Sequence, residues 1–244
     1  MQRQLLVAAV LATLSLLVSG QTDYPDFFYK LSLQWPPSVC TPSQCPSPIP
    51  QTFTIHGLWP QSLEDDKAIP PYDVKKCTDV QPTAPENILD ALQPIGSKLN
   101  NLWPSLSKQK TKEEFWEHEW QNHGMCSDYP DKPRNYFSAA LDLTTRYNPL
   151  EVMGIQPGDE LHEVGTILDA VKQHVRVGAY PQILCNRRAK KGLQLKEIRF
   201  CFVRAKPPSV FRDCPKQLAG DCKERTDRIR LPPLPSEATY IDEL

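Results

Sequence analysis

Residues 53–60 read Phe-Thr-Ile-His-Gly-Leu-Trp-Pro, and residues 115–126 read Phe-Trp-Glu-His-Glu-Trp-Gln-Asn-His-Gly-Met-Cys. Together they carry three of the chain's five histidines, His56, His118 and His123, with Glu119 between the last two. Histidine both takes and gives a proton near neutral pH. Titratable rings drawn from two separate stretches, with a carboxylate beside one, point to acid–base catalysis rather than to binding alone.

The spacing tells what must hold these groups. Thr111 with Glu114 three residues on is a capping box, and Gly124 follows as a C-terminal stop, so 112–123 reads as a helix. On that helix Glu119 and His123 are four apart and share a face. His118 and Asn122 are also four apart and lie on the neighbouring strip, about 100° round. Trp116 and Trp120 anchor another strip in the core. Phe53-Thr54-Ile55 reads as a strand ending at His56, which can then face the helix across a cleft. Further on, Leu195 to Val203 alternates, with Ile198, Phe200 and Phe202 on one face and Glu197, Arg199 and Cys201 on the other. Helical spacing recurs at 134–147 and 160–175. Residues 36–50 and 60–83, rich in Pro with Ser or Asp, read as loops.

Two imidazoles facing across a cleft suit in-line transfer at an RNA phosphodiester. One takes the proton of a ribose 2′-hydroxyl, the other protonates the departing 5′-oxygen, and nearby donors steady the phosphate oxygens. Rival chemistries fit less well. His118 and His123 are five apart, one too many for the zincin pattern, so their rings diverge on a helix. No Gly-x-Ser-x-Gly elbow occurs. A lone histidine is usually structural, but three in two compact blocks with Trp and Gly are not lone.

Composition narrows the setting. Arg3 followed by the weakly polar to apolar run Leu5–Val18 and the small residues Val18-Ser19-Gly20 reads as a signal peptide over 1–20, too short to span a bilayer comfortably. The domain then occupies 21–232, and 233–244 is a flexible tail. Eight cysteines after a leader imply disulfides, with 105 connectivities open; no Cys-x-x-Cys pair suggests a metal site. The formal net charge is −1, so no global positive field holds the chain on nucleic acid or an anionic membrane. A local basic groove remains compatible with it. No Asn-x-Ser/Thr sequon is present.

The two histidine blocks resemble the conserved active-site segments of the T2 family of secreted acid ribonucleases, the plant S-like members above all. The resemblance runs from Asp26-Phe27-Phe28-Tyr29 and Gln34-Trp35-Pro36 through both blocks to the cysteine-bearing C-terminal strand. It implies an α+β fold: one domain with a central antiparallel sheet packed by several helices and stapled by disulfides. It implies an endoribonuclease that cleaves single-stranded RNA through a 2′,3′-cyclic phosphate. An acid and a base together need no metal or other cofactor, no second apolar run of spanning length calls for a membrane partner, and a monomer is the default expectation. His56 matches the general acid, His123 the general base and Glu119 the carboxylate that assists it. His118 and Asn122 match phosphate-binding positions. Gln34, Asn100, Leu102 and Phe115 match base-pocket positions, and Trp59 and Phe115 offer aromatic faces for stacking. The implied disulfides are Cys40–Cys45, Cys77–Cys126, Cys185–Cys222 and Cys201–Cys214.

The second block departs from the family's Glu-x-x-Lys-His-Gly-Thr-Cys at two positions. Asn122 stands for the lysine and Met125 for the threonine. An amide donates a hydrogen bond but brings no charge to the phosphate. Losing one stabilising donor slows a reaction about 10²–10³-fold, so a reduced rate is expected. The alternative is a weakly active or inactive relative serving storage or defence. The expected destination is the extracellular space or the vacuole. The final Ile-Asp-Glu-Leu departs from a KDEL-type signal at its first position, so ER retention is not expected. The near-neutral charge speaks against a role like that of the basic self-incompatibility ribonucleases.

Overall fold

A computed structural model describes residues 24–41, 43–175, 178–188 and 192–233. The expected signal peptide over 1–20 and all of the expected 233–244 tail beyond Pro233 lie outside the described residues.

Period-two alternation builds the sheet. In β1 (Phe27–Gln34), Phe27, Tyr29, Leu31 and Leu33 face the main core, while Phe28, Lys30, Ser32 and Gln34 lie on the opposite face and are buried as well. β1 runs antiparallel between β2 (Thr54–Ser62) and a later strand, β5 (Gly192–Phe202). β5 continues the expected alternation and begins three residues earlier than the pattern suggests. Before it in the chain come the short β3 (His162–Glu163) and then β4 (Gln182–Arg188), which pairs with β5. After it come β6 (Phe211–Arg212), β7 (Leu218–Gly220) and β8 (Arg228–Ile229). The main sheet has the order β2-β1-β5-β4-β7, with β6 paired to β5; β3 and β8 form a separate ribbon. The sheet is antiparallel as expected except at one edge, where β7 runs parallel to β4. The chain passes through β5 and β6 between them, and that long connection lets it return in the same direction.

Seven helices appear among the described residues: α1 (Pro36–Val39), α2 (Ile88–Leu92), α3 (Gly96–Leu102), α4 (Lys112–Asn122), α5 (Pro133–Arg146), α6 (Pro149–Met153) and α7 (Val164–His174). The expected loop at 36–50 thus opens with a helical turn. The helix expected at 134–147 starts at Pro133, a residue suited to the first turn because it lacks an N–H. The one expected at 160–175 starts only at Val164, because His162 and Glu163 pair with β8.

The core between sheet and helices is aromatic. Trp103, Trp116, Trp120, Tyr136 and Phe137 are buried together, with Trp103 and Phe137 ring centroids 4.9 Å apart and Trp120 and Tyr136 5.6 Å apart. Polar tips find backbone carbonyls: Tyr136 Oη donates to Leu58 O at 2.6 Å, and Trp116 Nε1 to Trp103 O at 2.8 Å. The disulfides are Cys40–Cys45, Cys77–Cys126, Cys185–Cys222 and Cys201–Cys214. They are the pairs that the family resemblance implies.

β2 differs most from expectation. It does not end at His56 but continues through Leu58-Trp59-Pro60 to Ser62, into what the sequence presents as loop. Pro60 is tolerated because β2 is an edge strand, where a missing N–H breaks no inner ladder. Leu33 pairs with Ile55 and Ser32 with Gly57, so His56 is an extra, unpaired residue. A bulge of this kind twists the strand and re-aims one side chain.

Candidate active site

Helix α4 forms as the sequence dictates. Thr111 Oγ1 accepts from Glu114 N at 3.1 Å, and Glu114 Oε2 accepts from Thr111 N at 2.7 Å. Its C-terminus departs from expectation. His123 is the capping residue rather than part of the last turn, and its N–H donates to Glu119 O at 3.0 Å. Gly124 does not adopt the left-handed conformation; it opens a short 3-10 turn, Gly124–Cys126. Glycine is needed there for space, since an added Cβ would overlap the Trp120 ring.

One indole organises the site. The Trp59 ring lies 5.1 Å from the His56 ring and 5.6 Å from the His123 ring, and its Nε1 donates to Glu119 Oε2 at 3.0 Å. The bulge on β2 and the end of α4 thus bring His56, Glu119 and His123 around Trp59. Gly57 permits this approach: a Cβ there would overlap both the indole nitrogen and the Glu119 carboxylate. The His56 backbone is pinned by Trp103 Nε1, which donates to His56 O at 3.2 Å.

His56 and His123 sit in opposite environments. His56 Nδ1 lies 3.0 Å from Glu197 Oε1. Burial works against a charge on the ring, but the hydrogen bond and negative charge of Glu197, with Glu119 behind them, outweigh it and raise the His56 pKa. Glu197, 2% exposed, also accepts from Ser32 Oγ at 2.8 Å and from Arg199 Nε and Nη2 at 2.9 and 2.7 Å. Burial alone would push its pKa up, but His56, Arg199 and Ser32 hold it down at about 2. His123 has no such carboxylate. Its Nδ1 is buried without a hydrogen-bond partner. Burial first, then the positive charges of His118 and His56, depress its pKa to about 3. Burial also pushes the Glu119 carboxyl up to about 7, against the opposing pull of His56 and the Trp59 N–H.

The remaining expected residues divide. His118 is exposed. The Asn122 amide donates to His118 O of its own helix at 2.8 Å and lies 3.2 Å from His118 Nδ1, so it is already engaged. Gln34 is buried opposite Glu197 in the β1–β5 register, on the sheet face that carries the site. Phe115 is half-buried on α4, three and four residues ahead of His118 and Glu119. Asn100 is exposed on α3. Leu102 lines a pocket of about 360 Å³ with Phe53, Lys98 and Thr144, and neither His56, Glu119 nor His123 borders it. Among the described residues no hydrogen bond or ring contact joins Asn100 or Leu102 to the histidines.

Sequence reasoning missed Glu197, Arg199 and Ser32. A signal was present: two opposite charges two residues apart, Glu197 and Arg199, on the strand face opposite Ile198, Phe200 and Phe202, which burial tolerates only when they are paired. Among the described residues no cluster of three or more His, Cys, Asp or Glu has the makings of a metal site, and no helix is long and apolar enough to cross a membrane.

The profile of the ribonuclease T2 family matches residues 25–214, a span that includes both histidine blocks and β5. The chain belongs to the ribonuclease T2 family. It is of the plant S-like type. Ribonuclease 3 of Arabidopsis thaliana is 33% identical over 228 residues, 88% of this chain and 95% of that protein. A ribonuclease-like storage protein of Panax ginseng is 28% identical over 245 residues, 97% and 95% of the two chains. Among solved structures, a mutant of RNase MC1 in complex with 5′-GMP superposes with a TM-score of 0.66 at 28% identity, covering 81% of this chain and 97% of that one. Membership makes the chain a T2-type endoribonuclease, and the mixed sheet, helices and four disulfides agree with the family fold.

Proposed function

We propose that this T2 ribonuclease cleaves single-stranded RNA by transphosphorylation, with His56 as general acid and His123 as general base. The observation that carries this reading is the opposite charge bias of two rings packed on one indole. His56 is biased toward the imidazolium that an acid must be, and His123 toward the neutral ring that a base must be.

The steps follow from the free nitrogens. His56 Nδ1 is bonded to Glu197, leaving Nε2 to meet the leaving group. His123 Nδ1 is buried, leaving Nε2 to meet the nucleophile. The 2′-hydroxyl gives its proton to His123 as its oxygen bonds to phosphorus. The bond from phosphorus to the 5′-oxygen breaks, and that oxygen takes the His56 proton, leaving a 2′,3′-cyclic phosphate. Hydrolysis runs the same transfers in reverse with water. A bound phosphate places negative charge beside His123 and raises its proton affinity from the resting value, which improves the base when substrate arrives. Below pH 7 Glu119 is largely protonated and donates a hydrogen bond to a phosphate oxygen.

Asn122 supports a reduced rate, since its amide is neutral and bonded to its own helix. His118 is the exposed phosphate contact, and Gln34, Phe115 and Trp59 are the base contacts that the geometry favours. The leader and the four disulfides support an oxidising secretory route to the vacuole or cell exterior. Turnover of dinucleoside phosphates in EDTA at acid pH, compared with His123→Ala, tests the proposal; equal rates for the two proteins would refute it. A second reading, a storage protein with little turnover, is favoured by Asn122 and by the likeness to the ginseng storage protein. It predicts no cleavage by the parent chain in that same assay.

A further inference from the structure

We propose that Arg199 is the cation that neutralises the scissile phosphate in this site, the task that the neutral Asn122 leaves open. The proposal rests on the acid–base reading above.

Negative charge grows on the phosphate oxygens as the fifth bond to phosphorus forms, and the buried Glu197 carboxylate already places a negative charge beside His56. A fixed positive charge is therefore required close by. Other cations near the cleft suit the task less well. Lys30, on the same sheet face, is buried and committed to Asp66 at 2.6 Å. Lys110 precedes α4 on a long, exposed side chain that must be ordered before it can serve. His118 is exposed as a residue, and partial burial of its ring, with Lys110 and His56 nearby, biases it toward the neutral form.

Arg199 differs from all three. A guanidinium stays charged at any working pH and presents five N–H donors in a planar fork. Its carbon lies 5.3 Å over the Trp59 ring, the indole that both histidines touch. Its side chain is 19% exposed, so it is held in place yet open on one side. Nε and Nη2 donate to Glu197 and Nη1 donates to Gln182 Oε1 at 3.1 Å. Those three bonds lock the plane and leave one N–H on each of Nη1 and Nη2 for phosphate oxygens. A charge already ordered loses no side-chain entropy when substrate binds. The shared Glu197 carboxylate also balances the Arg199 charge against that of His56, so the two cations can sit beside one indole.

The competing role for Arg199 is to hold Glu197 in place for His56. A double-mutant cycle separates the two. Arg199→Gln keeps a donor for Glu197 and removes the charge; Arg199→Met removes both. Each is measured with and without Asn122→Lys, with dinucleoside phosphates as substrate and the pH profile recorded. We expect Arg199→Gln to lower kcat about 10²-fold, and Asn122→Lys to restore at least about tenfold in that background while giving a smaller gain in the parent. A loss under about threefold in Arg199→Gln overturns the proposal. So does an equal gain from Asn122→Lys in both backgrounds. A change confined to the alkaline limb of the pH profile assigns Arg199 to holding Glu197 and also overturns it. Should Arg199→Met fail to fold, the Arg199→Gln pair still decides between the two roles. His123→Ala in parallel distinguishes the failures: full turnover there refutes the acid–base reading, whereas loss there beside an active Arg199→Gln refutes only the role of Arg199.

Discussion

The two sides of the cleft hold the same side chain by contrary means. On the sheet side, His56 rides a bulge and leans on Glu197, itself tied to Ser32 and Arg199. On the helix side, His123 closes α4 with one nitrogen buried and unpartnered. A partner sets the state of one ring and burial sets the state of the other. In the proposed mechanism acid and base are thus assigned by surroundings rather than by residue type, which is the general way a protein runs both chemistries at one pH.

The contrast breaks outright if either ring is dispensable. His56→Ala and His123→Ala should each reduce kcat on RNA about 10²–10⁴-fold. Steady-state turnover of a dinucleoside phosphate measures this, and retention of half the parent rate by either variant contradicts the division of labour.

Burial on the helix side has a thermodynamic signature. The Glu119 carboxyl is raised to about 7, so the unfolded chain loses that proton first as pH rises. The folded state carries no penalty from it below about 4.5 and the full penalty above about 7, roughly 3 kcal/mol from the shift. Glu119→Gln should therefore stabilise the fold at pH 8 by up to about 3 kcal/mol and do little at about pH 4. Urea denaturation at the two pH values decides it, and a gain independent of pH would count against the buried carboxyl.

On the sheet side the signature is kinetic. The proposed mechanism needs His56 charged and His123 neutral, so the rate should rise from about pH 3 and fall as pH passes the raised His56 value. Glu197→Gln removes the charge that holds His56 up, and burial then lowers its pKa. The alkaline limb of the profile should move to lower pH, and the rate near neutrality should fall about tenfold. An unmoved limb would mean that Glu197 does not govern the acid. The smallest effect expected is from Asn122→Lys, a gain below about tenfold in the parent if Arg199 already supplies charge. A slower enzyme would contradict the view that phosphate charge limits the rate.

Much of this was legible in the residues. The capping box set the start of α4, and spacing of four put Glu119 one turn from His123. Alternation in β5 put Glu197 and Arg199 on one face. Their function was not legible, because they lie some 140 residues from His56 and a strand pattern says which face, not which neighbour. The strand through His56 looks short in the sequence for a related reason: Pro60 and the polar residues after it resemble loop unless β2 is known to be an edge. The position of Gly124 suggests a left-handed stop, whereas the space it leaves is for the Trp120 ring.

By itself the sequence determined the chemistry on offer: imidazoles in two blocks, one carboxylate beside them, a helix to carry most of them and cysteines to staple the whole. Such features depend on local periodicity and on residue type, both written along the chain. Only the tertiary structure decided which ring leans toward the charged form and which toward the neutral one. That choice depends on the β1–β5 register that brings Glu197 to His56 and on the depth at which His123 is packed, and charge states respond to distance and solvent in space, not to order along the chain.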